Sequence, residues 1–252
     1  MALGATRGEV AWLAGTARPS SRHRRRHFIA GLGGRSAARL ASILPSRFET
    51  TSAFWSILWC GSTVPSLAIV PAAGRAERFG RQKLVEDVGG EPLINRTIRC
   101  LLDGGVDAVI VVAPPGERFE SVPFVHDARV RVVDNPDPSR GMFSSIQAGL
   151  AAAPAGDPIL LLPGDMPFVA PATVAAVLAR PIGPGRVVVP RFDGARGHPL
   201  ALPRSLGSEI LKADARSNLS ELLTALGVAR ECVDVADPGV VRDVDVRGDL
   251  NR

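Results

Sequence analysis

The sequence predicts an α/β domain with a mostly parallel sheet covered by helices on both faces, a three-layer sandwich. Short runs of aliphatic and β-branched residues alternate with segments whose apolar residues recur at helical spacing. The short runs are apolar at consecutive positions, which is typical of strands buried on both faces. A chain of 252 residues is long enough for one such domain with an appendage.

Five strands and three helices are expected from these patterns. The strands are LAIVP (67–71), DAVIVVA (107–113), VRVVD (130–134), PILLLP (158–163) and RVVVP (186–190), and the helices are PLINRTIRCLL (92–102), SSIQAGLAAA (144–153) and PATVAAVLA (171–179). Repeated strand, helix and strand imply right-handed crossovers in a parallel sheet. Because ligands collect at the carboxyl ends of such strands, the chemistry is expected in the loops after Val70, Leu162 and Pro190.

The positive charge of the chain is concentrated near its N-terminus. Residues 1–66 contain nine arginines against two acidic residues, whereas the remainder carries 21 lysines and arginines against 23 acidic residues. The remainder also lacks tryptophan and tyrosine. A nucleic-acid interface needs clustered basic residues on the folded surface, so no nucleic-acid partner is expected. No apolar run reaches the roughly 18 residues that cross a bilayer, so no membrane association is expected either.

Residues 1–66 show no clean apolar periodicity and include the arginine-rich run SRHRRRHFIAGLGG. We interpret them as an extension outside the domain at 67–252, from a mis-assigned start or as a disordered tail. A targeting segment is an alternative, because Arg25–Ile29 resembles part of a twin-arginine signal, although Arg35 and Arg39 interrupt the apolar region that such a signal needs. A functional basic arm is the third interpretation.

The three cysteines, Cys60, Cys100 and Cys232, are far apart and form no Cys-x-x-Cys pair. Neither a disulfide framework nor a zinc site is therefore expected, and the sparse use of cysteine indicates a reducing, cytoplasmic setting. Cys100 falls on the apolar face of the first expected helix. We interpret it as a small core residue and not as a nucleophile.

The loop after the first expected strand, VPAAGRAERFGRQKL, combines small residues with positive charge. Ala72–Gly74 allow a sharp turn and a close approach of the backbone to a ligand, with amide groups free to bind oxygen anions. Arg75, Arg78 and Lys83 add forked donors and a mobile point charge. This combination indicates a polyphosphate ligand. The spacing is neither that of a Walker A loop nor that of a dinucleotide fingerprint.

These residues resemble the first motif of a family of nucleotidyltransferases, those similar to molybdenum cofactor cytidylyltransferase and the related guanylyltransferase. The resemblance begins at PAAGRAERFGRQK (71–83) and continues in the family's order through GGEPLI (89–94), NPDPSRGMFSSIQAGL (135–150), LLLPGDMP (160–167), VVVPRFDGARGHPLAL (187–202) and RDVDVRGDL (242–250). It covers residues 67–250. It implies the Rossmann-like nucleotide-diphospho-sugar transferase fold, which is GT-A-like.

The resemblance implies a Mg²⁺ site at Asp165. An isolated carboxylate in the mouth of a buried sheet is costly unless it meets a cation, and Mg²⁺ needs few carboxylates when substrate phosphates complete its shell. The family's C-terminal motif places a second ligand at Asp245, and Asp243 would share its face in an extended segment. A turn or capping role for Asp165, and plain solvent exposure for the other two, are the alternatives.

The resemblance places the nucleotide against five consecutive residues, Pro71, Ala72, Ala73, Gly74 and Arg75. Ser144 and Ser145, in the first turn of an expected helix, would meet the base or ribose through hydroxyls and free amides. A plain capping role for these serines is the alternative. Guanylyltransferases of this family tend to carry glycine at the position of Ala73, so the alanine favours CTP.

The resemblance places the acceptor against ARGHP (195–199), which joins an expected strand to another extended run. Arg196 would bind an acceptor phosphate beside Gly197, and His198 would hydrogen-bond or orient the acceptor; a structural role for His198 is the alternative. Molybdopterin is the expected acceptor, and a molybdoenzyme apoprotein is a candidate recipient of the product. The chain departs from the family's pattern at DARSNLSELL (214–223) and VRGDL (246–250), both toward the acceptor side.

The implied reaction transfers CMP from CTP to the acceptor phosphate with release of pyrophosphate, and Lys83, Arg78 and Asp165 are the expected catalytic residues. A phosphate monoester is mostly a dianion at neutral pH and needs no general base. Mg²⁺ on Asp165 and Asp245 would bridge phosphate oxygens. The hypothesis requires Lys83 and Asp165 to meet. A sugar-phosphate or other small-phosphate nucleotidyltransferase on the same fold, and a non-catalytic nucleotide-binding module, are the alternatives.

Overall fold

A computed structural model describes residues 64–74, 83–153 and 156–245 of the chain. Within these ranges one eight-stranded sheet carries helices on both faces, which confirms the predicted α/β class. The predictions for Arg75, Arg78 and residues 1–63 lie outside the described residues. No helix among the described residues has both the length and the apolarity needed to cross a membrane.

The sheet is mostly parallel, in the order β3-β2-β1-β4-β7-β5-β6, and β8 pairs with β5. Only β7 and the two-residue β6 pair antiparallel with their neighbours. The strands are Leu67–Pro71 (β1), Ala108–Ala113 (β2), Val130–Asp134 (β3), Ile159–Leu161 (β4), Arg186–Phe192 (β5), Ala195–Arg196 (β6), Leu200–Leu202 (β7) and Ala229–Asp234 (β8). The five strands expected from the sequence are β1 to β5, and β7 is the extended run expected after ARGHP.

The three expected helices are present, and two short ones were not predicted. In order they are Leu93–Asp103 (α1), Met142–Ala152 (α2), Pro171–Leu178 (α3), Gly207–Lys212 (α4) and Leu219–Ala225 (α5). Short 3₁₀ turns occur at Lys83–Val85, Pro123–His126, Pro138–Arg140, Arg204–Leu206 and Pro238–Val241. The two short helices are six and seven residues long, too short to show a clear apolar period.

The sheet is buried on both faces, which is why its strands read as continuous apolar runs. Ala68 and Val70 of β1 face the apolar core under α1 and α3, whereas Leu67 and Ile69 face the core under α2 and the short helices. Cys100 is 5% exposed in the first core, where burial raises the pKa of its thiol to about 12. This confirms its interpretation as a core residue.

Packing begins slightly before the expected domain boundary at Leu67. Both the amide and the hydroxyl of Ser66 donate hydrogen bonds of 2.9 Å to Asp107 Oδ2. The carbonyl of Pro65 accepts from the amide of Asp157 at 3.0 Å. Residues 65 and 66 are therefore part of the folded unit.

The loops after β1 and β4 emerge side by side because these strands are parallel neighbours. The amide of Leu162 donates to Ile69 O at 3.2 Å, and the amide of Gly164 donates to Pro71 O at 2.9 Å. The strand pairing thus continues past β4 and delivers Asp165 next to the end of β1. This is the edge of the sheet where ligands are expected.

Gly149 permits the close packing of α2 on the sheet. A Cβ at this position would lie 2.5 Å from Ile69 Cγ2 and 3.1 Å from Val112 Cγ2, both on buried side chains. We expect Gly149→Ala to lower the free energy of unfolding by about 1–3 kcal/mol in urea titrations, since overpacking outweighs the gain in helix propensity. Gly183→Ala, where a Cβ meets nothing within 4 Å, should change it by less than about 0.5 kcal/mol. Equal effects of the two substitutions would contradict this account.

Candidate active site

A lysine and three aspartates meet at the carboxyl edge of the sheet. Lys83 Nζ lies 3.0 Å from Asp165 Oδ2 and 3.3 Å from Asp245 Oδ1. The lysine side chain is only 12% exposed, whereas Asp165 is 28% and Asp245 61% exposed. Lys83 and Asp165 are 82 positions apart in sequence, so their meeting depends on the tertiary fold.

Asp243 belongs to the same cluster. One carboxylate oxygen from each of Asp165, Asp243 and Asp245 lies within 4.8 Å of the others. The sequence favours Asp245 over Asp243 as a ligand, and the structure brings both to the site. Three hard oxygen donors that open toward solvent form a donor set suited to Mg²⁺ or Mn²⁺, with room for substrate phosphates to complete the shell.

Val244 anchors the segment that carries the last two aspartates. Its side chain is fully buried with Val88 and Leu93, and its amide donates to Asp165 O at 3.0 Å. Phe168 packs against this cluster, and the guanidinium of Arg242 lies 3.8 Å above its ring. Because Val244 points inward, the side chains on either side of it project outward to the carboxylate cluster.

The predicted nucleotide loop starts where expected, at the end of β1. Ala72 and Ala73 are buried and Gly74 is exposed. The amide of Ala72 donates to Val112 O at 2.8 Å, so this amide continues the sheet and is not free for an anion, contrary to expectation. The prediction of a free backbone amide can therefore apply only beyond Ala72.

The hydroxyls of Ser144 and Ser145 form hydrogen bonds with other residues of the protein. Asn135 Nδ2 donates to Ser144 Oγ at 2.8 Å and to Ser145 Oγ at 3.0 Å, and Ser144 Oγ donates to Gly141 O at 2.7 Å. Both serines are less than a tenth exposed. The N-cap of this helix is Gly141 and no side chain forms a capping hydrogen bond, so these contacts are not the capping role given as the alternative. Contact of the serines with a nucleotide stays a prediction.

The predicted acceptor residues follow β5 and lie against the turn Pro238–Val241. Arg196 is exposed, and a Cβ on Gly197 would collide with the Val240 carbonyl, so only glycine fits there. The amide of His198 donates to Val240 O at 2.8 Å, and its Nδ1 lies 3.4 Å from Leu161 O. Burial lowers the pKa of the imidazole below its ordinary range, although the charges of Asp165 and Asp243 act in the opposite direction.

A cavity of about 570 Å³ adjoins this edge of the sheet. It is lined by all three predicted acceptor residues, Arg196, Gly197 and His198, and by Pro71 and Pro163. Several other lining residues were not predicted from the sequence, namely Arg140, Met142, Phe143, Arg216, Leu219 and Arg230. Two of these residues could have been suspected from the sequence, because Arg216 and Leu219 lie in the segment 214–223, which departs from the family's pattern.

A parallel sheet that holds a lysine and a carboxylate cluster at its carboxyl edge defines a class of protein that binds phosphates together with a divalent cation. The comparison with known proteins gives the family. The chain belongs to the MobA-like NTP transferase domain family, whose model matches residues 68–231.

Curated relatives carry several transferase names. The chain is similar to a 2-C-methyl-D-erythritol 4-phosphate cytidylyltransferase of Rhodococcus opacus, with 33% identity over 129 residues that cover 50% of this chain and 55% of the relative. It is also similar to a probable molybdenum cofactor guanylyltransferase of Thermococcus gammatolerans, with 30% identity over 173 residues that cover 66% of this chain and 84% of the relative. The chain thus spans about half the length of the first relative.

Solved structures share the fold. A nucleotidyl transferase from Methanothermobacter matches with a TM-score of 0.59 and 27% identity, covering 75% of this chain and 94% of that one. The manganese complex of Rv0371c from Mycobacterium tuberculosis matches with a TM-score of 0.53 and 23% identity, covering 75% of this chain and 97% of that one. These likenesses confirm the predicted nucleotidyltransferase fold.

Lys83 occupies carboxylate oxygens that a cation would use, so its removal should favour metal binding without nucleotide. We expect Lys83→Gln to bind Mn²⁺ about three- to tenfold more tightly at low salt, measured by electron paramagnetic resonance, because a nearby ammonium repels the ion. The control is Lys212→Gln, an exposed lysine paired with Glu209 on a helix surface. Unchanged or weaker Mn²⁺ binding by Lys83→Gln would show that the ammonium does not compete.

The lowered pKa of His198 makes the fold sensitive to mild acid. The unfolded chain then binds a proton near its ordinary pKa of about 6.5 while the folded chain does not, so stability is full above that pH and falls as the pH drops through it. We expect the wild type to lose more free energy of unfolding than His198→Gln between pH 7.5 and 5.5, in urea titrations. Parallel losses in the two proteins would remove His198 as the cause.

Proposed function

We propose that this protein is a Mg²⁺-dependent cytidylyltransferase that transfers CMP from CTP to the phosphate of a molybdopterin-type acceptor and releases pyrophosphate. The observation that carries the proposal is the meeting of Lys83 with the Asp165, Asp243 and Asp245 cluster, beside a cavity lined by the predicted acceptor residues. Family membership supports the reaction class, and relatives named as cytidylyltransferase and molybdenum cofactor guanylyltransferase support the substrates.

The carboxylate cluster would hold the divalent cation. When bound there, Mg²⁺ would supply positive charge to the phosphate oxygens of the nucleotide. Lys83 would move from its carboxylate partners to the triphosphate, since its flexible stem carries a point charge that needs only an anion nearby. We assign the same neutralising role to Arg78. Together these charges would offset the negative charge that develops on the phosphates and the leaving group.

The acceptor phosphate needs positioning more than activation. As a dianion it attacks the α-phosphorus of CTP directly; a bond forms between its oxygen and that phosphorus, and the bond to the β-phosphate oxygen breaks. Pyrophosphate leaves with the electron pair of the broken bond. Arg196 would bind the acceptor phosphate, and His198, kept neutral by burial, would donate or accept a hydrogen bond without adding charge.

The nucleotide and acceptor assignments have different support. Ala73 favours CTP over GTP, and Pro71, Ala72, Gly74, Arg75, Ser144 and Ser145 complete the proposed nucleotide site. Molybdopterin is the proposed acceptor, and a molybdoenzyme apoprotein would receive the product. A small sugar-type phosphate is the second candidate acceptor, favoured by the similarity to 2-C-methyl-D-erythritol 4-phosphate cytidylyltransferase.

Pyrophosphate release from the full chain tests the proposal directly. Each of the four NTPs is supplied with Mg²⁺ and either molybdopterin or 2-C-methyl-D-erythritol 4-phosphate, and we expect turnover with CTP and molybdopterin. Asp165→Asn should lower kcat about 10²- to 10³-fold, because it removes charge at the cation site. The control is Asp103→Asn, which should leave kcat unchanged. Asp103 is the last residue of α1, whereas Leu93, at the other end of the helix, packs with Val244 beside the site.

Three outcomes would overturn the proposal in distinguishable ways. Turnover with GTP in place of CTP would contradict the nucleotide assignment. Turnover only with the erythritol phosphate would favour the second candidate. Binding of Mg-CTP with no pyrophosphate release from either acceptor would favour a non-catalytic nucleotide-binding module.

A further inference from the structure

The cavity beside the carboxylate cluster is basic. Among the described residues that line it are four arginines and one histidine, and none that is acidic; the arginines are Arg140, Arg196, Arg216 and Arg230. Within the described part of the chain, Arg196 and Arg216 form no salt bridge. The guanidinium of Arg140 makes only a long contact of 3.8 Å with the exposed carboxylate of Asp214. These positive charges are available to an anionic ligand.

The arginines fall into two groups. Arg196 neighbours His198, whose imidazole is close enough to the carboxylate cluster for Asp165 and Asp243 to act on its charge. Arg140 and Arg216 form a second pair on other elements, the turn before α2 and the loop before α5, and both act on the charge of Asp137. One basic group therefore lies near the carboxylate cluster, and the other comes from two different elements that line the same cavity.

Apolar side chains complete the cavity wall near the second pair. Met142, next but one to Arg140, is 55% exposed. Phe143, Leu219 and Leu223 line the same cavity. A ligand that touched both the arginines and this wall would combine a negative group with an apolar or planar body.

The lining favours the acceptor over the nucleotide. None of Ala72–Gly74, Ser144 and Ser145, the proposed nucleotide contacts among the described residues beyond Pro71, lines the cavity, whereas Arg196, Gly197 and His198 all do.

We propose that the acceptor carries two anionic groups on an apolar or planar body: the phosphate that reacts, and a second anionic group that binds Arg140 and Arg216. This inference rests on the proposed function and narrows its acceptor to a chemical class. Arg140 and Arg216 are specificity residues that recognise the second anion through charge-assisted hydrogen bonds. They take no part in bond making.

The test compares two probes that differ only in the second anion, 4-carboxyphenyl phosphate and phenyl phosphate. Each is titrated calorimetrically into the full chain with Mg²⁺ and no nucleotide. We expect the wild type to bind the carboxylated probe at least about tenfold more tightly, the size of one hydrogen bond between charged groups. The Arg140→Gln/Arg216→Gln variant should lose this preference while its affinity for phenyl phosphate stays unchanged.

Arg186→Gln is the matched control, since Arg186 is an exposed arginine paired with Glu231 at the start of β5 and should keep the preference. Thermal unfolding of each variant checks that the fold is intact. Equal binding of the two probes by the wild type, no binding of either, or a double variant that loses affinity for CTP and keeps the preference would each overturn the inference. Because the readout is equilibrium binding without nucleotide, failure of the proposed cytidylyl transfer would appear only in the pyrophosphate assay.

Discussion

Three carboxylates within 4.8 Å of one another repel, and positive charge among them offsets that repulsion. Here Lys83 supplies that charge, with its ammonium 3.0 Å from Asp165 and 3.3 Å from Asp245. The same negative charge that attracts the lysine underlies the proposal that the cluster binds a divalent cation and the phosphates that accompany it. The structure and the proposed chemistry thus depend on the same balance of charge. In the proposed reaction the cation would replace the lysine at the carboxylates, and the lysine would bind the triphosphate.

The scaffold holds this charge cluster through backbone contacts as well as side chains. Continued pairing of Gly164 with Pro71 places Asp165, and the hydrogen bond from Val244 to Asp165 places the other two carboxylates. Upstream, Asp237 accepts hydrogen bonds from Ala170, Thr173 and Gly239, which ties the turn Pro238–Val241 to the start of α3. The buried Val244 then locks the segment into the core. Side chains held on such supports lose little conformational entropy when they bind a ligand.

In the proposed function, the cavity would separate selection of the acceptor from the chemistry of transfer. The charge cluster would bind phosphates in general, whereas the arginines and apolar residues that line the cavity would contact the part of the acceptor beyond the reacting phosphate. A change in that wall could alter the acceptor without disturbing the cation site. This division fits a family in which proteins of similar fold carry names that refer to different acceptors.

The sequence by itself determined the strands β1 to β5, the three longer helices, and the residues that follow β1 and β4. These signals are local, since a strand buried on both faces must be apolar at consecutive positions, and a short Gly-rich loop with Lys83 and the PGDMP segment marks strand ends. The half-polar β8 and the short helices α4 and α5 carry no such pattern, and they were missed. Only the tertiary structure decided that the amide of Ala72 donates a hydrogen bond within the sheet. It also decided that Asn135 donates to the hydroxyls of Ser144 and Ser145. Finally, it brought Arg140 and Arg216 to the lining of one cavity. In each case the residues come from separate elements of the fold. Long-range packing decides which of them meet, and it produces no periodic pattern in the sequence from which the contact could be predicted.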